Sequence, residues 1–418
     1  MRIPVESSLK KSLFVAACTL AVVAYVSLVT LQYLATYFSE KPDLASLQRA
    51  VRLQPGNAEY HYHLGNYLFF SKPLENVALE PYREAATLNP HKARYWLGLA
   101  AVYQRTGNDN EQETALEQAV AAEPKSPAVA WDSANFYLTQ KETEKALRQF
   151  RVVLESDPSL ASAALQRCLL ANPSVETLLR QVIPPSPPVY FALLDILMAK
   201  KQPTEAATVW SQLVQLRQPL EMRPVFEYLR QLIAQQQVDQ ARRVWRDAAN
   251  LCGLSAYQPS AQNLVVNGNF SLEVLNGGFD WLYQKLPNVS LSLDPTQSHN
   301  GQPSLLIAFD GRGIEDAGIR QVIPAEANAS YEFSADFKSD AIQGAGGPRF
   351  VIQDLYSGAV YFASDELKDA DAWKQAHGTF TTGRNTKMLM LRVQRVPPGS
   401  PIRGKLWIDD VRLIQKQQ

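Results

Sequence analysis

Prolines recur at a nearly constant interval in the N-terminal half of the chain. Pro55, Pro90, Pro124 and Pro158 are separated by 35, 34 and 34 residues. A fixed period of this length is typical of a repeated supersecondary unit, and such units stack because none can bury its apolar face alone. Proline cannot continue a helix, so each of these residues predicts the end of a helix and a turn. The pattern therefore predicts a helical solenoid.

Between the prolines, apolar residues follow the spacing of two successive helices. Gly65, Ala100 and Ala134 occupy equivalent places, where two helices of a pair would cross closely. The third unit shows the whole pattern, in Ala130, Ser133, Ala134, Tyr137, Ala146, Phe150 and Val153. This W-x2-L-G-x2-Y…A-x3-F…P spacing resembles the tetratricopeptide repeat family. The resemblance implies an α-helical solenoid that binds a protein partner.

We predict that the solenoid covers residues 42–250. It starts with a half-unit at residues 47–53, and we expect the preceding apolar helix to replace the missing first helix. After Pro158 the pattern degrades into one degenerate pair, and the proline-rich residues 184–188 predict a stiff, non-helical break. Two Ala-x3-Trp pairs, 35 residues apart, then predict two divergent repeats ending near residue 250.

The N-terminus contains residues 12–38, a run of 27 residues with no charged side chain. This length suffices to span the hydrocarbon core of a bilayer. Basic residues dominate before the run, so the positive-inside rule predicts cytoplasmic residues 1–11 and an extracytoplasmic, periplasmic remainder. We predict a single-pass signal anchor in the cell (inner) membrane. A cleaved signal with a soluble exported product is the alternative.

The resemblance to tetratricopeptide repeats also implies which side chains face a partner. Members of that family line an inner groove with four regularly spaced positions on the first helix of each pair. Lysine or arginine clamps a C-terminal carboxylate in some of them, but Tyr62, Leu97 and Trp131 stand there in this chain. We expect an aromatic groove wall; packing against neighbouring helices is the alternative reading. The implied groove residues are Glu59, Tyr62, Asn66, Phe69, Arg94, Leu97, Ala101, Gln104, Ala128, Trp131, Asn135 and Leu138.

From residue 263 the apolar pattern changes to a period of two. Tyr331, Phe333 and Phe337 alternate with polar residues, as do Leu389 and Leu391. Such strands, separated by Asn-Gly, Gly-Gly and Pro-Gly turns, predict an antiparallel β-sandwich of ten or so strands. We therefore predict a multidomain chain, α then β, in which residues 251–262 are a linker and residues 263–418 a jelly roll.

Four segments of this region also resemble a known family. They are NLVVNGNF at 263–270, GFDW at 278–281, HNGQPSL at 299–305 and WIDDVRL at 407–413. Their order is similar to that of the galactose-binding-like jelly rolls, which include the carbohydrate-binding modules of families 4, 9 and 22. The resemblance implies this fold and a glycan ligand. A sandwich that serves only structure or protein contact is the alternative.

Glycan-binding members of that family use aromatic and polar side chains on the concave sheet or at loop tips. Aromatic rings stack on the C–H faces of sugars, and planar polar groups hydrogen-bond the hydroxyls. We expect Trp281 and Trp407 to belong to the core instead. The candidates for glycan binding are Tyr283, Arg349, Gln353, Tyr356, Tyr361, Trp373, Arg392 and Gln394.

Many members hold a structural calcium ion between the opening N-G-x-F-E segment and the closing aspartates. In this chain Ser271 replaces the glutamate, which leaves Asn269 with Asp409 or Asp410. Calcium takes about six to eight oxygen ligands, so the lost carboxylate weakens this prediction. We expect no other cofactor.

Composition and motifs exclude several classes of function. The 41 basic and 41 acidic side chains balance, so no nucleic-acid partner is expected. Cys18, Cys168 and Cys252 are too widely spaced for a disulfide framework or a zinc site. No G-x-S-x-G, H-E-x-x-H or phosphate-binding loop is found, which argues against an enzyme.

The sequence thus predicts a non-enzymatic, membrane-anchored scaffold. Its helical array would bind a protein partner and its sandwich a polysaccharide, in the assembly or export of a surface polysaccharide or of the cell envelope. The alternative is a purely protein-binding assembly factor, whose sandwich is a docking domain that binds no sugar.

Overall fold

A computed structural model describes residues 8–71 and 76–416 of the chain. In these residues, fourteen α-helices precede ten β-strands. The chain divides into two compact units, Met1–Val189 and Tyr190–Gln418, which are described separately. Residues 1–7 of the predicted cytoplasmic segment lie outside the described residues.

The first unit is helical, as the proline period predicts. Short 3₁₀ turns lie at Asn76–Ala78, Pro158–Leu160 and Leu169–Ala171. Its helices are α1 (Ser8–Ser39), α2 (Leu44–Leu53), α3 (Ala58–Ser71), α4 (Leu79–Leu88), α5 (Ala93–Thr106), α6 (Asp109–Ala122), α7 (Pro127–Thr139), α8 (Thr143–Ser156), α9 (Ala161–Cys168) and α10 (Val175–Gln181).

The prolines mark the ends of helices. The α2, α4, α6 and α8 helices each end two residues before a proline of the ladder. The small residues lie at close crossings, because a Cβ atom added to Gly65 would be only 2.8 Å from the ring of Tyr82. Tyr82 and Phe150 are almost fully buried between the paired helices. Local periodicity therefore determines this part of the fold.

The α1 helix has two different parts. The stretch Lys11–Ser39 is long and apolar enough to cross a membrane, and the side chains of its central turns are exposed. Its last turns are packed, since Ala35 is fully buried in a cluster with Ala50 and Tyr60. The hydroxyl groups of Thr36 and Tyr60 are 3.0 Å apart and share a hydrogen bond. The end of α1 thus takes the place of the first helix beside α2.

The second unit begins within the helical array. Its helices are α11 (Pro187–Ala199, which starts before the boundary), α12 (Pro203–Gln215), α13 (Met222–Ala234) and α14 (Val238–Leu251). The prediction that residues 184–188 are a non-helical break was wrong for the last two. Pro187 and Pro188 lie in the first turn of α11, where proline is tolerated because its missing N–H would have no helical partner.

The β-strands form two five-stranded antiparallel sheets. The first sheet has the order β1-β4-β9-β6-β7, and the second sheet the order β2-β3-β10-β5-β8. Two antiparallel sheets confirm the predicted sandwich. The strands are β1 (Leu282–Tyr283), β2 (Val289–Asp294), β3 (Ser304–Gly313), β4 (Asp316–Pro324), β5 (Ser330–Gln343), β6 (Gly347–Asp354), β7 (Val360–Ala363), β8 (Lys374–Thr381), β9 (Met388–Val396) and β10 (Pro401–Gln415).

Alternation of side chains assigns the two faces of the first sheet. Leu389, Leu391 and Val393 of β9 are buried in the core between the sheets, as are Phe350 and Ile352 of β6. The intervening residues must point the other way, because successive side chains of a strand alternate between faces. We call this side the outer face; it carries Arg320, Val322, Arg349, Gln353, Met390, Arg392 and Gln394.

Candidate binding surfaces

The implied groove of the first unit is held by charged contacts at one end. The carboxylate of Glu59 contacts the guanidinium of Arg94 and accepts a hydrogen bond of 2.9 Å from the hydroxyl of Tyr95. Nε2 of His63 lies 3.2 Å from the other carboxylate oxygen of Glu59. These contacts link α3, which carries Glu59, to α5, which carries Arg94, and so connect the first helices of two successive pairs.

Aromatic rings continue this surface along α3. The ring centroid of Tyr62 lies 5.3 Å from that of Tyr95, and the guanidinium of Arg94 lies 5.2 Å from the Tyr62 centroid. Arg105 lies 3.4 Å from the ring centroid of Phe69, a cation–π contact. Asn66 accepts a hydrogen bond of 2.7 Å from the hydroxyl of Tyr82. Burial raises the pKa of this hydroxyl. Tyr62 and Phe69 therefore contact neighbouring side chains while remaining partly exposed.

The other implied groove residues lie on α5 and α7. Trp131 meets Phe150 edge to face at 6.0 Å, and Asn135 donates a hydrogen bond of 2.8 Å to the carbonyl of Trp131. Arg94, Gln104 and Ala128 are exposed, whereas the following are partly exposed: Leu97, Ala101, Trp131, Asn135 and Leu138. That these residues bind a partner stays a prediction.

In the sandwich, four polar glycan candidates share the outer face of the first sheet. Arg349 pairs across strands with Gln394, and Arg392 donates a hydrogen bond of 2.9 Å to Gln353. Arg392 also lies 3.6 Å from the carboxylate of Asp316. Arg349, Gln353, Arg392 and Gln394 are all partly exposed. The arrangement presents planar donors and acceptors on one strand pair, β6 and β9.

The aromatic candidates lie elsewhere. Tyr283 pairs with Ile319 and so faces the core, where burial raises the pKa of its phenol. Tyr361 packs parallel to Phe380, with 6.2 Å between ring centroids. Its hydroxyl is 2.6 Å from that of Thr386. These two rings are therefore part of the packing of the sandwich.

The remaining two aromatic candidates are in loops. Tyr356, in the turn between β6 and β7, donates a hydrogen bond of 2.9 Å to the carbonyl of Ile233 in α13. Trp373 precedes β8 and lies beside His299, with 5.3 Å between ring centroids. The structure thus brings together four of the eight glycan candidates, and it places Tyr356 next to the helices.

A cavity of about 700 Å³ lies between α13 and the first sheet. Phe226, Ile233 and Tyr356 contribute to its walls, together with Arg230 and Arg320. Sequence reasoning missed this cavity, because nothing in the sequence distinguishes Phe226 from the neighbouring apolar residues of α13 that form the core. Only the packing of the helix against the sheet brings these side chains together.

The residues expected to hold calcium also make hydrogen bonds within the chain. Asn269 accepts a hydrogen bond of 2.9 Å from the hydroxyl of Ser271. The carboxylate of Asp409 accepts from the backbone N–H groups of Asp410 and His299, at 2.8 and 3.3 Å. That these residues hold calcium, which takes about six to eight oxygen ligands, stays a prediction.

Asp410 belongs to a cluster around His299. Nδ1 of His299 lies 3.1 Å from Asp410 Oδ2 and 3.5 Å from Asp336 Oδ2. The hydrogen bond to Asp410 raises the pKa of His299, and burial raises the pKa of Asp336. The sequence singled out the HNGQPSL segment and Asp410 separately but gave no signal that they meet, because they are distant along the chain.

Comparisons with known proteins find solved structures that are similar to parts of this chain. Among solved structures, a carbohydrate-binding module (CBM4) is 17% identical over 36% of this chain and 98% of its own, with a TM-score of 0.27. The CBM22-1 xylan-binding domain from Paenibacillus barcinonensis is 15% identical over 36% of this chain and 93% of its own, with a TM-score of 0.26. The MamA protein is 16% identical over 42% of this chain and 80% of its own, with a TM-score of 0.29.

No curated protein sequence gives a significant match. Tetratricopeptide repeat families match residues 93–126 and 113–161. These segments cover α5 to α8, the helix pairs in which the sequence pattern is clearest. Residues 93–161 of the chain are therefore tetratricopeptide repeats.

Proposed function

We propose that this chain is a non-enzymatic scaffold, anchored in the inner membrane by α1 with its N-terminus in the cytoplasm. Its helical array binds a protein partner, and its sandwich binds a glycan outside the cytoplasm. Assembly or export of a surface polysaccharide or of the cell envelope is the process that such a combination would serve.

The polar set on the outer face carries the glycan part of this proposal. Arg349, Gln353, Arg392 and Gln394 lie on the adjacent strands β6 and β9, where Arg349 is the register partner of Gln394. Each side chain ends in a planar amide or guanidinium, and such groups hydrogen-bond neighbouring sugar hydroxyls well. The hydrogen bond between Arg392 and Gln353 orients two of them before any ligand arrives, which reduces the entropy cost of binding.

The repeats support the protein-binding part. Proteins with tetratricopeptide repeats bind protein partners, and residues 93–161 have this fold. Tyr62 and Phe69 on α3 and Trp131 on α7 keep partly exposed aromatic surface on the first helices of two pairs. Aromatic residues are enriched where binding energy concentrates in protein interfaces.

The anchor is supported by α1 and by its flanks. The span Lys11–Ser39 has the length and hydropathy needed to cross a bilayer. Basic residues before it favour a cytoplasmic N-terminus. Because the last turns of α1 pack against α2 and α3, the first repeats would lie directly at the membrane surface.

Affinity electrophoresis of the full chain in a non-ionic detergent tests the glycan part. Each native gel would contain one soluble polysaccharide, either neutral or acidic. We expect at least one to retard the chain, and Arg392→Ala and Gln353→Ala to remove the retardation. Arg312→Ala, an exposed arginine near the β3–β4 turn, is the matched control and should migrate like the parent. Indifference to every polysaccharide would refute glycan binding.

One set of contacts favours the alternative, in which the sandwich is a docking domain. Tyr356 bonds to the carbonyl of Ile233, and Arg242 of α14 lies 3.0 Å from the carboxylate of Glu326. The sandwich therefore already serves to pack against the last helices. Under this alternative, substitutions on the outer face would weaken the capture of a protein partner. They would not change the mobility of the chain in gels that contain a polysaccharide.

A further inference from the structure

We infer that the cleft between α13 and the first sheet binds a carboxylate-bearing oligosaccharide, so that the helical array supplies one wall of the glycan site. This inference rests on the proposed glycan binding and specifies where the sugar lies and which charge it carries. It also predicts that the outer face alone is an incomplete site.

The size and walls of the cleft suit a short oligosaccharide. Its volume of about 700 Å³ lies within the range of ligand pockets, roughly 300–1,000 Å³. The ring of Phe226 comes from α13, and the ring of Tyr356 comes from the turn after β6. Aromatic faces on two sides provide the stacking surface for sugar C–H groups that the outer face itself lacks.

The charge of the lining favours an acidic sugar. Arg230 and Arg320 line the cleft, and its lining in the described part of the chain includes no carboxylate. Arg230 contacts Glu227 one turn earlier on α13, whereas the side chain of Arg320 is exposed on β4. A guanidinium recognises a carboxylate through two parallel hydrogen bonds, which a neutral sugar cannot accept in the same way.

Strand register joins the cleft to the polar set on the outer face. Met390, which lines the cleft, pairs directly with Gln353, and Arg320 pairs directly with Arg392. Partners in register lie about 5 Å apart, roughly the length of one sugar ring. A chain of several residues would therefore extend from the cleft across Gln353 and Arg392.

The walls of the cleft are held in place without a ligand. The hydroxyl of Tyr356 is bonded to Ile233 at 2.9 Å, which links the β6–β7 turn to α13. The ring of Phe226 abuts the backbone at Gly277, where any added side chain would collide with it. The side chains of the cleft therefore lose little conformational freedom on binding. Because this entropy cost is small, more of the energy of the sugar contacts contributes to affinity.

Calorimetric titration of the full chain in detergent tests the inference, with oligogalacturonate as the acidic probe and xylo-oligosaccharides as the neutral probe. We expect the acidic probe to bind more tightly, and its affinity to fall as salt is added. Arg320→Ala and Phe226→Ala should each weaken it on the order of 10-fold, or about 1.4 kcal/mol. Arg312→Ala controls for the loss of an exposed arginine elsewhere on the sandwich and should leave affinity unchanged.

The outcomes separate this inference from the proposed function. If Arg392→Ala abolishes binding while Arg320→Ala and Phe226→Ala do not change it, the sugar lies on the open face and the inference is overturned. Equal affinity for both probes also overturns it. Should Phe226→Ala prevent folding, Arg320→Ala decides the matter, because its side chain is exposed. If the chain binds neither these probes nor any other polysaccharide, the proposed function itself is refuted.

Discussion

The indole ring of Trp245 in the last helix lies against the backbone of Gly278. A Cβ atom added to Gly278 would come within 2.5 Å of this ring. The same indole donates a hydrogen bond of 2.9 Å to the carbonyl of Tyr257, and its centroid lies 6.3 Å from that of Phe279. The GFDW segment therefore packs against α14, and the last helices and the sandwich share a hydrophobic contact.

This contact predicts that Gly278→Ala destabilises the second unit. The backbone at Gly278 has a φ of +65°, which costs a non-glycine residue of the order of 1 kcal/mol, and the collision with Trp245 adds to that cost. We expect a loss of about 2–4 kcal/mol in the free energy of unfolding. Tryptophan fluorescence during denaturation by urea would measure it.

Gly358→Ala is the matched control. Its φ is +72°, but no atom lies within 4 Å of an added Cβ. The substitution therefore reports the backbone strain without the collision, and it should cost less than Gly278→Ala. Equal losses for the two variants would show that Trp245 does not restrict this position.

The sequence predicted the architecture well because its signals are local. The proline period follows from how one helix pair stacks on the next, and the alternation in residues such as Leu389 and Leu391 follows from a half-buried strand. Pro187 and Pro188 were misread, because a proline tolerated in the first turn of a helix looks the same in sequence as a helix breaker.

The site was harder to predict. The outer-face positions Arg349, Gln353, Arg392 and Gln394 follow from alternation, so reasoning from sequence could group them. The cleft beside Phe226 and the cluster around His299 depend on contacts between residues far apart in the chain. No local period encodes such contacts, and the sequence alone therefore could not place Tyr356 against α13.

The packed end of α1 predicts a position-specific effect within one helix. Ala35 is fully buried against α2 and α3. A leucine there would overpack the contact, at a cost of about 1–3 kcal/mol. We expect Ala35→Leu to increase the rate at which a protease cleaves the segment that joins α1 to α2.

Ala24→Leu is the control for this prediction. Ala24 is exposed in the same helix, and the same substitution there adds apolar area without a collision. Cleavage of the detergent-solubilised chain, followed by mass spectrometry, would compare the two variants. Equal protection in both would contradict a packed junction between the anchor and the first repeat.

The cluster around His299 predicts a dependence of stability on pH. The hydrogen bond to Asp410 and the charges of Asp336 and Asp409 raise the pKa of His299 above its usual value of 6.5. A base with a raised pKa in the folded state stabilises the fold fully below 6.5, and this contribution is lost as pH rises through the folded pKa. Thermal melts of the parent and of His299→Gln should therefore differ most below pH 6.5 and converge as the pH rises through the folded pKa of His299.

His377→Gln provides the comparison, because His377 is exposed on β8. That variant should follow the parent at every pH. A constant difference between His299→Gln and the parent across this range would show that the protonated imidazole does not contribute to stability.

Asp280 predicts a dependence of the opposite sign. The residue is fully buried in the GFDW turn, and burial raises the pKa of its carboxyl from 3.8 to about 6. Ionisation is therefore less favourable in the folded than in the unfolded chain. The folded state is penalised progressively as pH rises from 3.8 through about 6, and the penalty is complete above that value.

In the parent, the N–H of Leu275 donates a hydrogen bond of 2.8 Å to the carboxylate of Asp280. Asp280→Asn removes the buried charge and retains an oxygen that can accept this hydrogen bond. Near pH 4 the two chains should be about equally stable. At pH 7 we expect the variant to be more stable, by up to about 3 kcal/mol for a shift of this size. Denaturation at both pH values, with the exposed Asp371→Asn as control, would measure the difference. If Asp280→Asn instead loses stability at pH 7, the ionised carboxylate is stabilised by its hydrogen bonds, and burial does not dominate its energetics.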